Sequence, residues 1–296
     1  FLKDKLYTLN DGGNTNEIFE IDKNSGKILS KLKINFPNKD WEAITSDGEN
    51  FYIGDFGNNA GSRKDLAVYK TDFQGNYSKN SFNYSAQNDF STRYLSHNYD
   101  AEAMIFLNEK IHVFSKEWSS KNISHYTLDL QNSENQSFVS LESFYAGFVI
   151  SDAAYFQGKL YVVGYTRKAK VYMMIFQENS ERLFFSKPLK KYKLGSFLSI
   201  GQVEGIAVNK DGIYISNENF SKFIFSVKQR LYFIPFADIC QHFVFVTNTN
   251  SGATFATPLF LSILYLTVVQ YPPASVPYNR SYAPCWSREH WRCPLL

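Results

Sequence analysis

Asp40-Trp41-Glu42-Ala43-Ile44, a turn at Asp47-Gly48, and Phe51-Tyr52-Ile53-Gly54-Asp55-Phe56-Gly57-Asn58-Asn59 together form the stretch that decides the fold. An acidic pair opens a short apolar run. A second apolar run closes on Asp, Gly and Asn. If the two runs are antiparallel neighbours, the start of the first lies beside the end of the second. Both polar ends then reach the same edge of a sheet.

The second run recurs along the chain. Leu6-Tyr7-Thr8-Leu9, Phe51-Tyr52-Ile53-Gly54, Ile111-His112-Val113-Phe114, Leu160-Tyr161-Val162-Val163 and Ile213-Tyr214-Ile215-Ser216 align on a central ring at Tyr7, Tyr52, His112, Tyr161 and Tyr214. The spacings between these rings are 45, 60, 49 and 53 residues. A third apolar run follows each, at Ile18-Phe19-Glu20-Ile21, Leu66-Ala67-Val68-Tyr69, Ser124-His125-Tyr126-Thr127-Leu128, Val171-Tyr172-Met173-Met174 and Phe223-Ile224-Phe225-Ser226-Val227. Units two to five also carry the upstream run, at Ala43-Ile44, Ala103-Met104-Ile105-Phe106, Ala153-Ala154-Tyr155-Phe156 and Gly205-Ile206-Ala207-Val208. Turns at Asp47-Gly48, Asn108-Glu109, Gln157-Gly158 and Asp211-Gly212 join it to the next strand. A fourth strand such as Ile28-Leu29-Ser30-Lys31-Leu32 alternates apolar and polar residues. Four short strands per period of about 50 residues is the signature of an all-β β-propeller, here with five recognisable blades. An ordinary sandwich is the alternative.

Composition agrees with a β fold. The chain has 296 residues, enough for one large domain with a sizeable core. Its 27 Phe and 20 Tyr favour strands. A net charge of +3 on 31 basic and 28 acidic residues argues against a nucleic-acid partner held by bulk charge. All three cysteines, Cys240, Cys285 and Cys293, fall near the C-terminal end, so the repeats hold no cysteine metal site or nucleophile.

The pattern changes near residue 231. Every lysine lies at or before Lys228, and every proline except Pro37 and Pro188 lies after Leu231. Residues 259–271 carry no charge, but the run is too short for a confident membrane span. We read residues 1–231 as the propeller and 232–296 as an atypical Pro-rich, hydrophobic tail, foreign or disordered.

In a propeller the first strand of each blade lines the central channel. Glu42, Glu102, Asp152 and Glu204 open these strands, next to Asp40 and Asp100. The strand endings Asp11, Asp55, Glu117 and Glu218 are expected on the same face, one layer out. Converging carboxylates repel and raise one another's pKa unless a cation sits among them. Oxygen-only donors suit a hard cation such as Ca2+, with Glu42, Glu102 and Glu204 as candidate metal ligands. The structural alternative is that these acids accept backbone N–H groups from the neighbouring blade. Arg63, Lys64, Lys116 and Arg167, with Lys168 beside it, follow second strands and are candidate anion contacts, or balance the acidic ring. His112 and His125 sit in strands and read as packed residues. No Ser-His-Asp pattern supports a serine hydrolase.

These motifs carry a resemblance. Leu6-Tyr7-Thr8-Leu9-Asn10-Asp11-Gly12-Gly13-Asn14, Asp40-Trp41-Glu42-Ala43-Ile44, Asp55-Phe56-Gly57-Asn58-Asn59, Asp100-Ala101-Glu102-Ala103-Met104 and Glu204-Gly205-Ile206-Ala207 resemble a group of exported bacterial propellers. That group is similar to the SdiA-regulated and esterase-like phytase propellers and, more distantly, to NHL-type ones. The resemblance covers about residues 5–228. It implies a six-bladed ring, a secreted, periplasmic or envelope location, Ca2+ binding, and Asp40, Glu42, Asp100, Glu102 and Glu204 as the axial acids. Unit four departs from the motif with Ser151-Asp152-Ala153-Ala154, and no sixth blade is recognisable.

The expected function is binding of a ligand or divalent cation at an acidic axial face by a monomer. Its partner is an unknown small molecule or protein, with no catalytic residue assigned. A Ca-dependent phosphoesterase and a protein-interaction scaffold are the alternatives.

Overall fold

Five repeats fold as five blades in the computed structural model, which describes residues 1–222, 225–240 and 267–270. Blade 1 is a three-stranded sheet of β1 (Leu6–Leu9), β2 (Glu17–Ile21) and β3 (Ile28–Lys33). Blade 2 follows with β4 (Trp41–Ser46), β5 (Phe51–Asp55), β6 (Ala67–Thr71) and β7 (Tyr77–Tyr84). Blade 3 begins with β8 (Ala101–Leu107), β9 (Lys110–Ser115) and β10 (Asn122–Asp129). The chain then adds β11 (Gln136–Phe138) parallel to β7 of blade 2 before completing blade 3 with β12 (Glu142–Tyr145).

Blade 4 contains β13 (Val149–Phe156), β14 (Lys159–Tyr165), β15 (Lys170–Gln177) and β16 (Pro188–Ser196). A single turn, α1 (Phe197–Ile200), leads into blade 5. Blade 5 has β17 (Gln202–Val208) and β18 (Gly212–Glu218), then a separate hairpin of β19 (Phe220–Lys222) and β20 (Phe225–Val227), then β21 (Arg230–Pro235). After α2 (Phe236–Cys240), its fourth strand is β22 (Thr267–Gln270).

In blades 2 to 5 the first strand lies innermost and the next strands follow outward as antiparallel neighbours. The inner strands β4, β8, β13 and β17 pack in sequence around one axis. Two-residue turns hold the inner strand to the second where the backbone allows it. Asn108 and Glu109 take φ of 50° and 59°, the left-handed pair that matches strand twist.

Apolar side chains fill five seams, one between each pair of neighbouring blades. Leu2, Ile18, Phe36, Trp41 and Phe51 lie between blades 1 and 2. Tyr52, Phe56, Phe82 and Val113 lie between blades 2 and 3. Phe114, Phe148, Leu160 and Phe176 fill the next seam, and Val163, Met173, Val203, Ile213 and Ile234 the one after. Leu6, Phe19, Ile21, Tyr214 and Leu231 join blade 5 to blade 1. Each such side chain removed from water contributes about 1.5–3 kcal/mol. The ring therefore closes on five blades, and the sixth blade implied by the resemblance is absent among the described residues.

One boundary differs from the sequence reading. The strand that pairs with β18 is β21, while the described part of the expected run, Phe225–Val227, pairs with β19. Alternate residues decide it: Leu231 enters the seam with blade 1, while Tyr232 and Ile234 enter the seam with blade 4, and all three are buried. Sheet structure thus continues past residue 231. The expected tail otherwise lies largely outside the described residues, at 241–266 and 271–296. Among the described residues no helix is long and apolar enough to cross a membrane.

Candidate functional site

The acidic side chains reach the axis through a repeated irregularity. In four blades the register of the inner strand slips by one residue against the second strand. The slips lie between Trp41 and Ala43, Ala101 and Ala103, Ile150 and Asp152, and Val203 and Gly205. The extra residue in each bulge is Glu42, Glu102, Ser151 or Glu204. A bulge turns one side chain out of the ladder and bends the strand. The acids sit where the ladder releases them.

Blade 4 therefore departs from the sequence alignment by one place. Ser151 occupies the position of the glutamates and donates through Oγ to the Val203 carbonyl at 2.6 Å. Asp152 stands one residue further on. It accepts the N–H of Ile206 at 2.8 Å and that of Ala153 at 2.7 Å. Burial pushes its carboxyl up to about 8, against the pull of these N–H groups.

Lys116, from the loop after β9, is the ammonium at the centre. It is 3% exposed and pairs with Glu102. Its Nζ donates to Tyr165 Oη at 3.2 Å and lies over the Trp118 and Tyr165 rings at 5.0 and 5.3 Å. Burial alone would push its pKa down, but Glu102, Tyr165 and Glu204 outweigh it and hold the ammonium well above its ordinary range.

Around this pair the carboxylates outnumber the cations. Burial pushes Glu42 well up, and Glu102 and Asp40 add to the shift. Asp40 rises to about 6 through burial, with Arg63 opposing. Glu204 is also raised by burial, against Lys116 and the amide of Gln202. Glu218 is raised well above the usual range by burial and by Glu204 and Asp11. Asp11 beside it is raised by burial too, and accepts from Asn14 Nδ2 at 2.7 Å. The main chain closes tightly on this wall: a Cβ on Gly57 would collide with Glu42 and Asp40, and one on Gly12 with Asp40.

Asp11, Asp40, Glu42, Glu102, Asp152, Glu204 and Glu218 all line one cavity of about 1900 Å3, with Arg63, Lys116 and Arg167. Asp55, Asp100, Glu117 and Lys64 are placed elsewhere. Asp55 is 1% exposed and binds Arg63 Nη2 at 2.8 Å. Asp100 accepts the N–H groups of Asn58 at 2.7 Å and Ala101 at 3.1 Å, and Trp118 Nε1 at 3.1 Å, tying blade 3 to the loop of blade 2. Glu117 is held by the hydroxyls of Ser115, Ser120 and Ser124. Lys64 is exposed and lies over the Phe90 ring. Arg63 is also engaged by Asp65 at 3.1 Å and the Gly57 carbonyl at 2.9 Å. Arg167 donates to the Leu95 carbonyl and lies 5.9 Å from the Trp118 ring.

No family model and no curated protein matches the sequence. Among solved structures, the chain is similar to a GH43 beta 1,3 galactosidase at 11% identity and a TM-score of 0.47, over 74% of this chain and 47% of that one. It is similar to the β-propeller domain of the Trilobed protease from Pyrococcus furiosus at 13% identity and a TM-score of 0.33, over 65% and 53% of the two chains. A chain of the mitotic checkpoint complex matches at 10% identity and a TM-score of 0.37, over 73% and 59%. The chain spans about half the length of the solved chains it matches.

Sequence reasoning missed four contributors to the axial site: Ser151, Tyr165, Trp118 and Gln202. Trp118 lies two residues after Lys116, and Gln202 two before Glu204, so proximity to the motifs was the available signal. Tyr165 had none beyond its place at the end of a second strand. Among the described residues no three His, Cys, Asp or Glu side chains stand at metal-coordinating spacing.

Proposed function

We propose that this propeller is a binding protein whose acidic axial cavity takes a small cationic ligand. One observation carries the reading: Glu42, Glu204, Glu218 and Asp11 line a single cavity in which the buried side-chain ammonium of Lys116 is already paired with Glu102. A ligand that brings positive charge lets these acids ionise. The cage around Lys116, a carboxylate with Trp118 and Tyr165 rings, is the chemistry that receives an amine.

Ca2+ is the second reading, favoured by donors that are all oxygen. It requires the glutamates to turn toward one point on binding. The phosphoesterase reading is weaker, because Arg63 and Lys116 are engaged by Asp55, Asp65 and Glu102 rather than left to meet phosphate. The resemblance to exported propellers adds a proposed envelope location, checked by fractionating the source cells.

Calorimetric titration with Ca2+ and with simple di- and polyamines tests the reading. Binding to the native state alone adds roughly 2.7 kcal/mol of stability at a hundredfold excess over Kd. We expect saturable heat from at least one cation, lost in Glu42→Gln with Glu204→Gln. No heat and no change in melting temperature with any of them at millimolar concentration would leave the acids a structural role.

A further inference from the structure

The ring of inner strands is open at blade 1. In the other blades the order runs inner strand, second strand and outward, and β1 corresponds to the second strands β5, β9, β14 and β18. Nothing among the described residues occupies the place inside it. The chain nevertheless enters β1 through a hairpin. Leu2 and Lys5 exchange both backbone hydrogen bonds at 3.0 Å around Lys3 and Asp4, whose φ values are 49° and 61°. Leu107 and Lys110 pair in the same way around Asn108 and Glu109, where β8 enters β9. Leu2 therefore stands where the last residue of an inner strand stands.

Antiparallel ladders alternate. After the bonded pair Leu2–Lys5, the main-chain groups of Tyr7 and Leu9 point toward the same empty side. The walls of that space are Ala43, Ile44 and Thr45 from β4 and Ile206, Ala207 and Val208 from β17. Its volume, continuous with the axial cavity, is about twice that of a large ligand pocket.

We propose that this position takes an extended strand, antiparallel to β1 and continuous with Phe1 through the Lys3-Asp4 turn, which makes blade 1 four-stranded. The occupant has the chemistry of its neighbours. Glu42-Ala43, Glu102-Ala103 and Glu204-Gly205 each follow a bulged acid with a small residue. By the register of blade 3, residues 100–105 (Asp-Ala-Glu-Ala-Met-Ile) precede the residue equivalent to Phe1. The bulged position of the occupant then falls between Glu42 and Glu204.

The test joins a copy of that hexapeptide to Phe1 of the full chain. A control extension has Pro in place of its second Ala and its Ile, the two residues opposite Leu9 and Tyr7, which removes two ladder N–H groups. We expect the first extension to raise the melting temperature by about 4 °C or more and to slow amide exchange at Tyr7 and Leu9 at least tenfold. The control should do neither. Equal melting and equal exchange with and without the extension would overturn the proposal. So would protection of Tyr7 and Leu9 by the free hexapeptide at millimolar concentration when the joined copy gives none.

Discussion

Lys116 shows how much one side chain carries here. Its ammonium is buried against Glu102, Trp118 and Tyr165, and it is the counterion that Glu204 and Asp100 also see. Removing one partner of a buried pair leaves the other charge uncompensated, at a cost of about 3–5 kcal/mol. Lys116→Met is expected to lose about that much in urea unfolding. Adding Glu102→Gln should recover a large part of it, because the orphaned carboxylate is then gone. A single variant as stable as the parent would show that the pair contributes nothing. Its place just after a second strand marked Lys116 either as an anion contact or as a balance to the acidic ring. That it turns inward to a glutamate depends on the approach of blade 4, which supplies Tyr165, and no local pattern encodes that approach.

At the level of elements, the strands and turns were largely legible because each repeats a period-two pattern, closed in blades 2 to 4 by a turn with positive φ. Two features were not. The bulges add one residue without changing the apolar pattern, so Asp152 aligned with the glutamates although Ser151 holds their place in the backbone. The third strand of blade 5 was misplaced because residues 223–227 and Leu231-Tyr232-Phe233-Ile234 are both short apolar runs. Only packing against blades 1 and 4 distinguishes them. The consequence is measurable. A chain ending after Leu231 loses buried Tyr232 and Ile234 and the partner of β18. It is expected to be about 4 kcal/mol or more less stable than the full chain. Coincident thermal melts of the two chains would place the end of the propeller at residue 231 after all.

The whole molecule inherits an unusual response to pH from its axis. Asp152 and Asp40 hold their protons to about 8 and about 6, above the 3.8 of an unfolded aspartate. Between those values the folded state binds more protons than the unfolded one, so these groups remove stability as pH rises. His112, which exchanges a 2.8 Å hydrogen bond with His125, works the other way. Burial and His125 lower it to about 4 from 6.5, so its contribution is lost as pH falls through that window. The two acids outweigh the one imidazole. The melting temperature is expected to be higher at pH 5 than at pH 8. Asp152→Asn should narrow the difference, by on the order of 3 kcal/mol at the upper pH. A flat profile from pH 5 to 8 in the parent would mean the axial carboxyls ionise freely. The bulges give this axis a second property. A residue in a bulge is outside the pairing count of its ladder, so its replacement leaves every strand in register. Glu42, Glu102, Ser151 and Glu204 thus form a set of addresses at which descendants of the same scaffold can exchange one polar group for another while the architecture is inherited unchanged.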